Sequence, residues 1–363
     1  MKTRRRTAAA LIFSSVAFSV CGAEVVARAT ADDVELLTTR NFARSKLSLF
    51  DSAYPSAYDA TLGWIPRPGY AGRRDNAWKT QVTIDAYGFR HHGGDAPGPE
   101  LLAVGDSFTF GDEVDDADTF PAHLERLLGR RVVNAGVFGY GLDQSVLRAE
   151  RNLGAHRPSA VVLQAVRDDL VRMQMSKRTG VAKPFFTLPR SVTSTRGVLR
   201  LEGVPTSPVR PSIDAIGPLR TVLGHSYLVD SLMRRFGRGA WWYVGQWDDA
   251  YAYQDLGLAT EIGCRLVERL GERLKEVGAR GVFVAEYASH VLTLSEDDDP
   301  YIRPLKTVAA CARSAGFEVV DTHVTWRALA KADPAAFQAR YARVHLSPAG
   351  NAALAAEVAA HLK

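Results

Sequence analysis

The chain has 363 residues, of which 46% are hydrophobic and 23% charged, and this composition is typical of a globular protein with a sizeable core. Its length suits one large domain or two of ordinary size. The formal net charge is +5, and a cluster at Lys2, Arg4, Arg5 and Arg6 supplies part of it. The sequence has no basic stripe with interleaved aromatic residues, which argues against a nucleic-acid partner.

The N-terminus combines a basic segment, MKTRRRT, with an uncharged run, AAALIFSSVAFSVCGA, at residues 8–23. This pairing is typical of a cleaved secretion signal or of an uncleaved signal anchor. The run is short for a membrane span, which needs about 20 residues, and a buried N-terminal helix is the alternative. Basic residues before the run favour a cytoplasmic N-terminus and an exported body. We therefore expect a periplasmic or extracellular protein, with residues 8–23 removed as a signal or retained as an inner-membrane anchor.

Cysteine usage is sparse. Beyond the N-terminal run only Cys264 and Cys311 remain. An oxidising compartment permits them to pair, but each falls in a predicted helix, and we expect two free buried thiols. The sequence has no Cys/His cluster with metal-ligand spacing, so it predicts no zinc site, and nothing in it suggests a cofactor.

The segment before residue 99 is predicted to be an addition to the main domain. Residues 24–50 are polar and predict a helical stalk. Residues 51–98 carry turn signals, as in LGWIPRPGYAG, and then the alternating stretch TQVTIDAYGFR, which indicates a β-rich extension. We divide the chain into 1–29, a signal peptide or anchor, 30–98, the stalk and extension, and 99–363, the main domain.

From Leu101 onward, apolar runs and amphipathic stretches alternate. The predicted elements are strand 101–104, helix 119–128, strand 131–134, helix 142–153, strand 159–164, helix 255–277, strand 281–285, helix 304–315, strand 318–321 and helix 348–362. This alternation predicts an α/β fold of the flavodoxin-like kind. It is a three-layer sandwich with a parallel sheet of about five strands between helices.

A long insertion interrupts the alternation after the third strand, at about residues 171–250. It holds PFFTLPR, VPTSPVRPS and the Trp-rich piece RGAWWYVGQW, with a predicted helix near 216–236. An insertion past the carboxyl edge of a sheet often forms a lid or substrate wall. We name Trp242 as a candidate substrate-binding residue that stacks on a sugar ring. A lid core or a contact with a membrane surface is the alternative for these aromatic side chains.

The stretch LLAVGDSFTFGDEV places Ser107 just past the carboxyl end of the first predicted strand. In open α/β sheets, ligands bind along that edge. Gly105 permits backbone angles that other residues avoid. Ser107 is therefore either a helix N-cap or a nucleophile, and the neighbouring Asp106 either contacts substrate or stabilises the loop.

Four blocks in order resemble the GDSL-type, or SGNH, hydrolases, and in particular their exported or membrane-anchored bacterial members. GDSF at 105–108 resembles the first block, and VVNAGVFGYG at 132–141 the second. VVLQAVRDDL at 161–170 lies where that family has a Gly-x-Asn-Asp block, and ARVHLSPAG at 342–350 resembles the block with the catalytic histidine. The LGW-x-P-x-PG and GFR stretches of the extension resemble the anchored members as well.

The resemblance implies a serine hydrolase with Ser107 as nucleophile and His345 as base, with backbone amides of Ser107 and Gly139 in the oxyanion hole. A serine hydroxyl needs an adjacent base at neutral pH, and imidazole has a suitable pKa. Loss of one oxyanion donor costs about 10²–10³ in rate. The implied partner is an acylated small molecule or carbohydrate.

Two positions depart from the family pattern. The family's asparagine, which donates to the oxyanion, falls on Asp168, and an ionised carboxylate has no proton to donate. Either Asp168 is held protonated, or it faces away, or turnover is slow. The family's aspartate three residues before the histidine falls on Ala342. We expect Asp321, which ends the fifth predicted strand at the same sheet edge, to support His345; Glu286, which ends the fourth, and a dyad with a backbone carbonyl are the alternatives.

Two classes of function therefore follow from the sequence. The first is an exported serine-dependent esterase or O-acyl transferase, acting on acylated envelope or extracellular polysaccharide. The second is a catalytically impaired relative that binds carbohydrate or serves as a scaffold. The departures at Asp168 and Ala342 favour the second, and the Ser107, Gly139 and His345 pattern favours the first.

Overall fold

The computed structural model describes residues 2–29, 55–73, 79–93, 100–178, 181–189, 197–208, 217–236, 242, 256–294, 299 and 301–363. The chain forms two compact units. The smaller consists of Met1–Asp51 and Arg210–Trp247, and the larger of Ser52–Val209 and Asp248–Lys363. Within the described ranges, no helix combines the length and apolar character that crossing a membrane requires.

The strands, in chain order, are β1 Ser56–Asp59, β2 Gly63–Pro66, β3 Ala71–Arg73, β4 Gln81–Thr83, β5 Leu101–Val104, β6 Val132–Asn134, β7 Ala160–Val166, β8 Lys177–Arg178, β9 Val181–Ala182, β10 Phe185–Thr187, β11 Arg200–Glu202, β12 Arg280–Glu286 and β13 Glu318–Asp321. The larger unit is built on a five-stranded sheet in the order β13-β12-β7-β5-β6, with all its pairs parallel. Every residue of β5 and β7 is buried, as expected when helices cover both faces of a sheet. The predicted α/β fold with a five-stranded parallel sheet is confirmed.

The helices are α1 Lys2–Ala29, α2 Ser107–Phe110, α3 Phe120–Leu128, α4 Leu142–His156, α5 Arg167–Arg172, α6 Gly217–Leu223, α7 Tyr227–Arg235, α8 Leu256–Val277, α9 Ser289–Leu294, α10 Arg303–Ser314, α11 Thr322–Ala332, α12 Pro334–Gln338 and α13 Pro348–Ala360. Around the sheet, α8 packs against α4 and α10, and α13 packs against α3. Five of these helices, α2, α5, α9, α11 and α12, were not among the predicted elements. The helix expected near 216–236 is two helices, α6 and α7.

The N-terminal extension consists of two short antiparallel hairpins. The first pairs β1 with β2 and the second pairs β3 with β4. Both lie in the larger unit. The predicted β-rich extension is therefore present, and it belongs to the same compact unit as the sheet. Most of the predicted stalk, residues 30–50, lies outside the described residues.

The expectation of two free thiols is wrong. Cys264 in α8 and Cys311 in α10 form a disulfide. The two helices pack side by side and bring the two Cα atoms to 5.3 Å, within the range that a disulfide requires. The prediction that both cysteines lie in helices is correct, but the sequence did not show that these two helices pack against each other.

In the smaller unit, a side chain of α1 caps the start of α7. The carboxylate of Glu24 accepts hydrogen bonds from the backbone N–H groups of Tyr227 and Leu228 and from the Ser226 hydroxyl. Burial alone would raise its pKa, but these bonds and one from Arg28 lower the pKa of Glu24 to about 2. A negatively charged group at a helix N-terminus is stabilising.

Trp242 also lies in the smaller unit, and it is fully buried. Its Nε1 donates to Asp230 Oδ1 at 2.7 Å, and its ring packs against Val229 and Met233. Because the ring is fully buried, neither of its faces is free to stack on a sugar. The prediction that Trp242 binds substrate is therefore wrong, and the residue packs in the core of the smaller unit. Its aromatic neighbours Trp241, Tyr243 and Trp247 lie outside the described residues.

Candidate active site

Ser107 is the first residue of α2, and two residues separate it from the end of β5. Asp106 is the N-cap of this helix, because its Oδ1 accepts a hydrogen bond from the backbone N–H of Phe108 at 2.9 Å. The Ser107 hydroxyl is therefore not used as a cap. Gly105 is needed for space rather than for unusual backbone angles, because a Cβ there would lie 2.6 Å from Gln164 Oε1.

The structure brings His345 to Ser107. The Nε2 atom of His345 lies 2.9 Å from Ser107 Oγ, and with the ring protonated at Nδ1 the hydroxyl donates this hydrogen bond. The ring also packs against Phe108, with centroids 4.8 Å apart. Asn351 of α13 helps to hold this arrangement. Its side chain accepts from the backbone N–H of Phe120 in α3 and donates to a carbonyl beside His345.

A carboxylate that sequence reasoning missed lies beside the other ring nitrogen. Glu113 Oε1 is 3.6 Å from His345 Nδ1, and Glu113 Oε2 accepts from the backbone N–H groups of Arg343 and Val344. Glu113 has φ +71°, which is uncommon for a residue with a side chain. Its interaction with His345 is the largest cause that holds the pKa of Glu113 at about 2, against the opposing effect of burial. The signal available in the sequence was the Gly-Asp-Glu run at 111–113, whose Glu is six residues after the serine.

Asp321, the expected support of His345, is not part of this arrangement. It ends β13, an edge strand separated from β5 by β12 and β7, and three strand spacings amount to about 14 Å. Its carboxylate accepts from the backbone N–H of His323 and so caps α11. The prediction placed Asp321 at the correct sheet edge, but the order of the strands puts it too far away. We correct the assignment to Glu113.

The charges around His345 favour its protonated form. Burial by itself would lower the pKa of the imidazole, but the Glu113, Asp112 and Asp106 carboxylates outweigh it and raise the pKa of His345 above its ordinary value. Asp112 Oδ2 lies 3.9 Å from Nε2. His345 is thus a stronger base than a histidine in water.

Behind the serine, Asp106 is part of a buried charge cluster. Arg172 Nη1 donates to Asp106 Oδ2 at 2.8 Å, to Asp169 Oδ1 at 2.7 Å and to the Tyr140 carbonyl. Asp106 is completely buried. Its Oδ1 accepts from the backbone N–H of Phe108, and its Oδ2 accepts from Arg172. It presents no surface to a substrate, so its candidate substrate-binding role is corrected to a structural one.

Asp168 and Gly139 were the expected partners of the oxyanion. The Asp168 side chain is 64% exposed and pairs with Arg167 at 3.4 Å, so the structure does not place it as a hydrogen-bond donor. Gly139 has φ +75°. Its backbone N–H donates to no backbone carbonyl in the described ranges, so it could bind an oxyanion. Against this role, Gly139 does not line the cavity beside Ser107. The oxyanion role of Gly139 stays a prediction.

A cavity of about 190 Å³ opens beside the Ser107 hydroxyl and the His345 ring. Its other walls come from the ends of β7 and β12 and the segments that follow them, and the wall residues are Phe108, Val166, Arg167, Asp168, Arg172, Glu286, Tyr287, Ala288, His290, Val291, Tyr301 and Val344. This volume suits a short group rather than a long chain. Among the described side chains, no group of three or more His, Cys, Asp and Glu residues is arranged to hold a metal ion.

The N-terminal extension contacts the loop that carries Glu113 and the loop that carries Gly139. Arg90, in the GFR stretch, is buried and donates to the carbonyls of Phe110, Gly111 and Val114, which surround Glu113 in the chain. Trp64, in the LGW stretch, is also buried, and its Nε1 donates to the Phe138 carbonyl at 3.1 Å. In the sequence, both stretches predict a β-rich extension and resemble the anchored members of the family. The contacts give them a physical role.

Comparison with known proteins finds similar solved structures but no close relative. No family model and no curated protein matches the sequence. One similar solved structure is a candidate lipolytic protein of the G-D-S-L family from Desulfitobacterium hafniense; it is 13% identical, with 72% of this chain and 99% of that chain covered and a TM-score of 0.37. A lipase/acylhydrolase from Enterococcus faecalis is 11% identical, with 73% and 95% covered and a TM-score of 0.38.

A third similar structure is a catalytic mutant of an acetylxylan esterase from Geobacillus stearothermophilus. It is 18% identical to this chain, with 72% of this chain and 93% of that chain covered and a TM-score of 0.39. At these identities and TM-scores, the similarities support no conclusion about the activity of this chain. The chemistry must be argued from its own side chains.

Proposed function

We propose that this chain is a serine-dependent ester hydrolase or O-acyl transferase in which Ser107, His345 and Glu113 act together. The hydrogen bond of 2.9 Å between Ser107 Oγ and His345 Nε2 is the observation that carries the proposal. Glu113 on the far side of the ring, 3.6 Å from Nδ1, supports it. The distance of 3.6 Å is longer than a hydrogen bond, and Nδ1 has no hydrogen-bond partner in the described residues; catalytic contacts of this kind often shorten when substrate binds.

In the proposed reaction, Ser107 Oγ attacks the ester carbonyl carbon while His345 Nε2 takes its proton. Glu113 stabilises the resulting imidazolium at Nδ1–H. His345 then gives the proton to the leaving alkoxide, which departs as an alcohol and leaves an acyl-serine. Water or a second hydroxyl group attacks that ester while its proton passes to Nε2. The acyl–Oγ bond then breaks, Nε2 returns the proton to Ser107 Oγ, and the acid or the new ester leaves. Water gives hydrolysis, and a sugar hydroxyl gives acyl transfer.

The oxyanion of the tetrahedral intermediate is proposed to accept hydrogen bonds from the backbone N–H groups of Ser107 and Gly139. Asp168 supplies no third donor. Because one donor is worth about 10²–10³ in rate, we expect slower turnover than in a family member with asparagine at this position.

Export is part of the proposal. The basic segment and apolar run of residues 8–23 support it, and so does the pairing of Cys264 with Cys311, since disulfides persist in oxidising compartments. The proposed location is the periplasm or the cell exterior, with the N-terminal segment as a candidate inner-membrane anchor. An acylated envelope or extracellular polysaccharide is then the first substrate class to test.

A catalytically impaired carbohydrate-binding protein is the second candidate. The exposed Asp168 carboxylate in place of an amide donor favours it. The two candidates differ in whether Ser107 is activated.

A fluorophosphonate probe separates them, because it labels a serine only where base and oxyanion donors function. We expect labelling of the wild-type chain, none in Ser107→Ala, and undiminished labelling in Ser159→Ala. Ser159 precedes β7 at the opposite edge of the sheet and serves as the matched control. A folded wild-type chain that remains unlabelled at every pH would favour the carbohydrate-binding candidate.

A further inference from the structure

Arg172 is a cationic side chain in the wall of the active-site cavity that the proposed reaction does not use. It is the last residue of α5, and it lines the same cavity as Ser107 and His345. Its side chain is mostly buried but keeps 13% of its surface exposed. Unlike Asp106, which is completely enclosed, this guanidinium can therefore contact a bound substrate.

A single nitrogen atom anchors the guanidinium. Within the described residues, every hydrogen bond of the Arg172 side chain comes from Nη1, and the acceptors are Asp106, Asp169 and the Tyr140 carbonyl. Nε and Nη2 have no acceptor in the same part of the chain, and neither atom is sealed from solvent by protein. A guanidinium has N–H groups on all three nitrogens and no acceptor of its own. The N–H groups of Nε and Nη2 are thus available to an oxygen atom of a ligand.

The anchors of this guanidinium lie next to the two residues whose backbone N–H groups are the other proposed oxyanion donors. Asp106 precedes Ser107, and Tyr140 follows Gly139. Asp106 Oδ2 lies 2.8 Å from Arg172 Nη1 and 3.4 Å from Ser107 Oγ. The separation of Nη1 from Oγ therefore cannot exceed these two distances placed end to end. Because the oxyanion lies two bonds from Oγ, a hydrogen bond of about 2.9 Å can join it to the guanidinium.

Building on the proposed function, we propose that Arg172 is a catalytic residue that donates a hydrogen bond from Nε or Nη2 to the oxyanion of the tetrahedral intermediate. Asp168, where an amide donor was expected, is four residues before Arg172 in α5. Residues four apart lie on one face of a helix, and both side chains line the cavity. Hydrogen bonds from a charged donor are stronger than those from a neutral one, so Arg172 offsets part of the loss at Asp168.

Arg172→Lys tests this role, because the lysine ammonium can keep the ion pairs with Asp106 and Asp169 but has no second nitrogen. The two matched substrates are 4-nitrophenyl acetate and its thionoester, in which sulfur replaces the carbonyl oxygen. Sulfur accepts hydrogen bonds only weakly. We expect kcat/KM for the oxygen ester to fall about 10²-fold, and kcat/KM for the thionoester to fall much less. A displacement of Ser107 or His345 would instead lower both values equally.

Arg269→Lys is the matched control, because it changes an arginine that is paired with a carboxylate away from the cavity. Arg269 in α8 donates to both oxygens of Glu150 in α4, at 2.7 and 2.8 Å, and neither residue lines the cavity. This variant should keep the wild-type kcat/KM for both esters. If Arg172→Lys keeps the wild-type kcat/KM for the oxygen ester, or loses equally on both esters, the inference is overturned. Equal losses would show that Arg172 only positions other groups.

A second measurement needs no variant, so it decides the inference even if Arg172→Lys does not fold. In a crystal structure of the wild-type chain phosphonylated at Ser107, a phosphoryl oxygen would occupy the place of the oxyanion. We expect this oxygen within about 3.2 Å of Nε or Nη2 of Arg172. A phosphoryl oxygen bound by backbone N–H groups alone overturns the inference and leaves the proposed function intact. If the wild-type chain hydrolyses neither ester and the fluorophosphonate probe labels nothing, the proposed function fails, and the inference fails with it.

Discussion

At the scale of single residues, the backbone conformation of Glu113 links the nucleophile loop to the histidine loop. Its positive φ directs the side chain across to the backbone N–H groups of Arg343 and Val344. One oxygen holds that loop in place, and the other lies beside His345 Nδ1. Unfavourable backbone conformations persist at functional sites where surrounding contacts compensate for them. Here the compensation is a carboxylate that serves two loops.

Glu113→Gln tests this arrangement. His345 must be neutral to accept the Ser107 proton, so kcat/KM falls as the pH decreases through the raised pKa of His345. Removing the Glu113 charge destabilises the imidazolium and lowers that pKa. We expect the acidic limb of the pH profile to move to lower pH, and the plateau rate to fall about 10²- to 10⁴-fold.

The matched control is Asp321→Asn, because asparagine also caps a helix well. It should leave both the plateau rate and the acidic limb unchanged. The assignment of Glu113 would be wrong if Asp321→Asn abolished activity while Glu113→Gln had a normal profile.

At this scale the sequence predicted the residues that sit in recognisable motifs. Ser107 and His345 follow from the blocks that contain them, and the structure brings the two together at 2.9 Å. Glu113 could not be predicted in the same way, because its role depends on a loop conformation and on a partner more than 200 residues away. Asp321 was a reasonable choice by strand ends, but strand ends do not give strand order.

At the scale of elements, the N-terminal hairpins act as a support for the site. Trp64 in β2 donates to the Phe138 carbonyl, and the Tyr140 hydroxyl donates back to the Trp64 carbonyl. Gly139 lies between these two anchored residues. Its backbone N–H can be held toward an oxyanion only if this loop is fixed.

Trp64→Phe should therefore lower kcat. The phenyl ring keeps most of the packing but removes the hydrogen bond to Phe138, which stabilises the fold by about 1 kcal/mol. We expect a small loss of stability and a fall in kcat of about 10-fold with little change in KM, because a small displacement of a catalytic group costs rate. Steady-state kinetics on a 4-nitrophenyl ester and thermal unfolding measure the two effects.

Trp326→Phe is the control for Trp64→Phe. Trp326 lies in α11, is buried, and donates to Glu357 Oε1 at 2.7 Å, so its replacement removes a comparable bond away from the loop that carries Gly139. It should lose stability without a change in kcat. Equal losses of kcat in the two variants would show that Trp64 contributes to general stability and not to the site.

At the scale of the whole molecule, strand and helix patterns predicted the sheet, but not how the chain divides. The apolar runs of β5 and β7 are unambiguous because both faces of these strands are covered. In contrast, residues 210–247 of the insertion form one compact unit with the N-terminus, through contacts such as Glu24 to Ser226. A pairing across 200 residues leaves no local pattern, so composition and periodicity could not show it.

The Cys264–Cys311 disulfide is a second long-range link, and it closes a loop of 47 residues. Cross-linking a loop of that length reduces the entropy of the unfolded chain and stabilises a protein by about 2–4 kcal/mol. The double variant Cys264→Ser/Cys311→Ser should therefore lose about that much free energy of unfolding in urea. Neither cysteine lines the active-site cavity, so the folded variant should keep the wild-type kcat.

A thiol reductant should destabilise the wild-type chain to the same extent and leave the double variant unaffected. If the reduced and oxidised wild-type chains unfold at the same urea concentration, the link contributes nothing to stability, and helix packing alone holds α8 against α10.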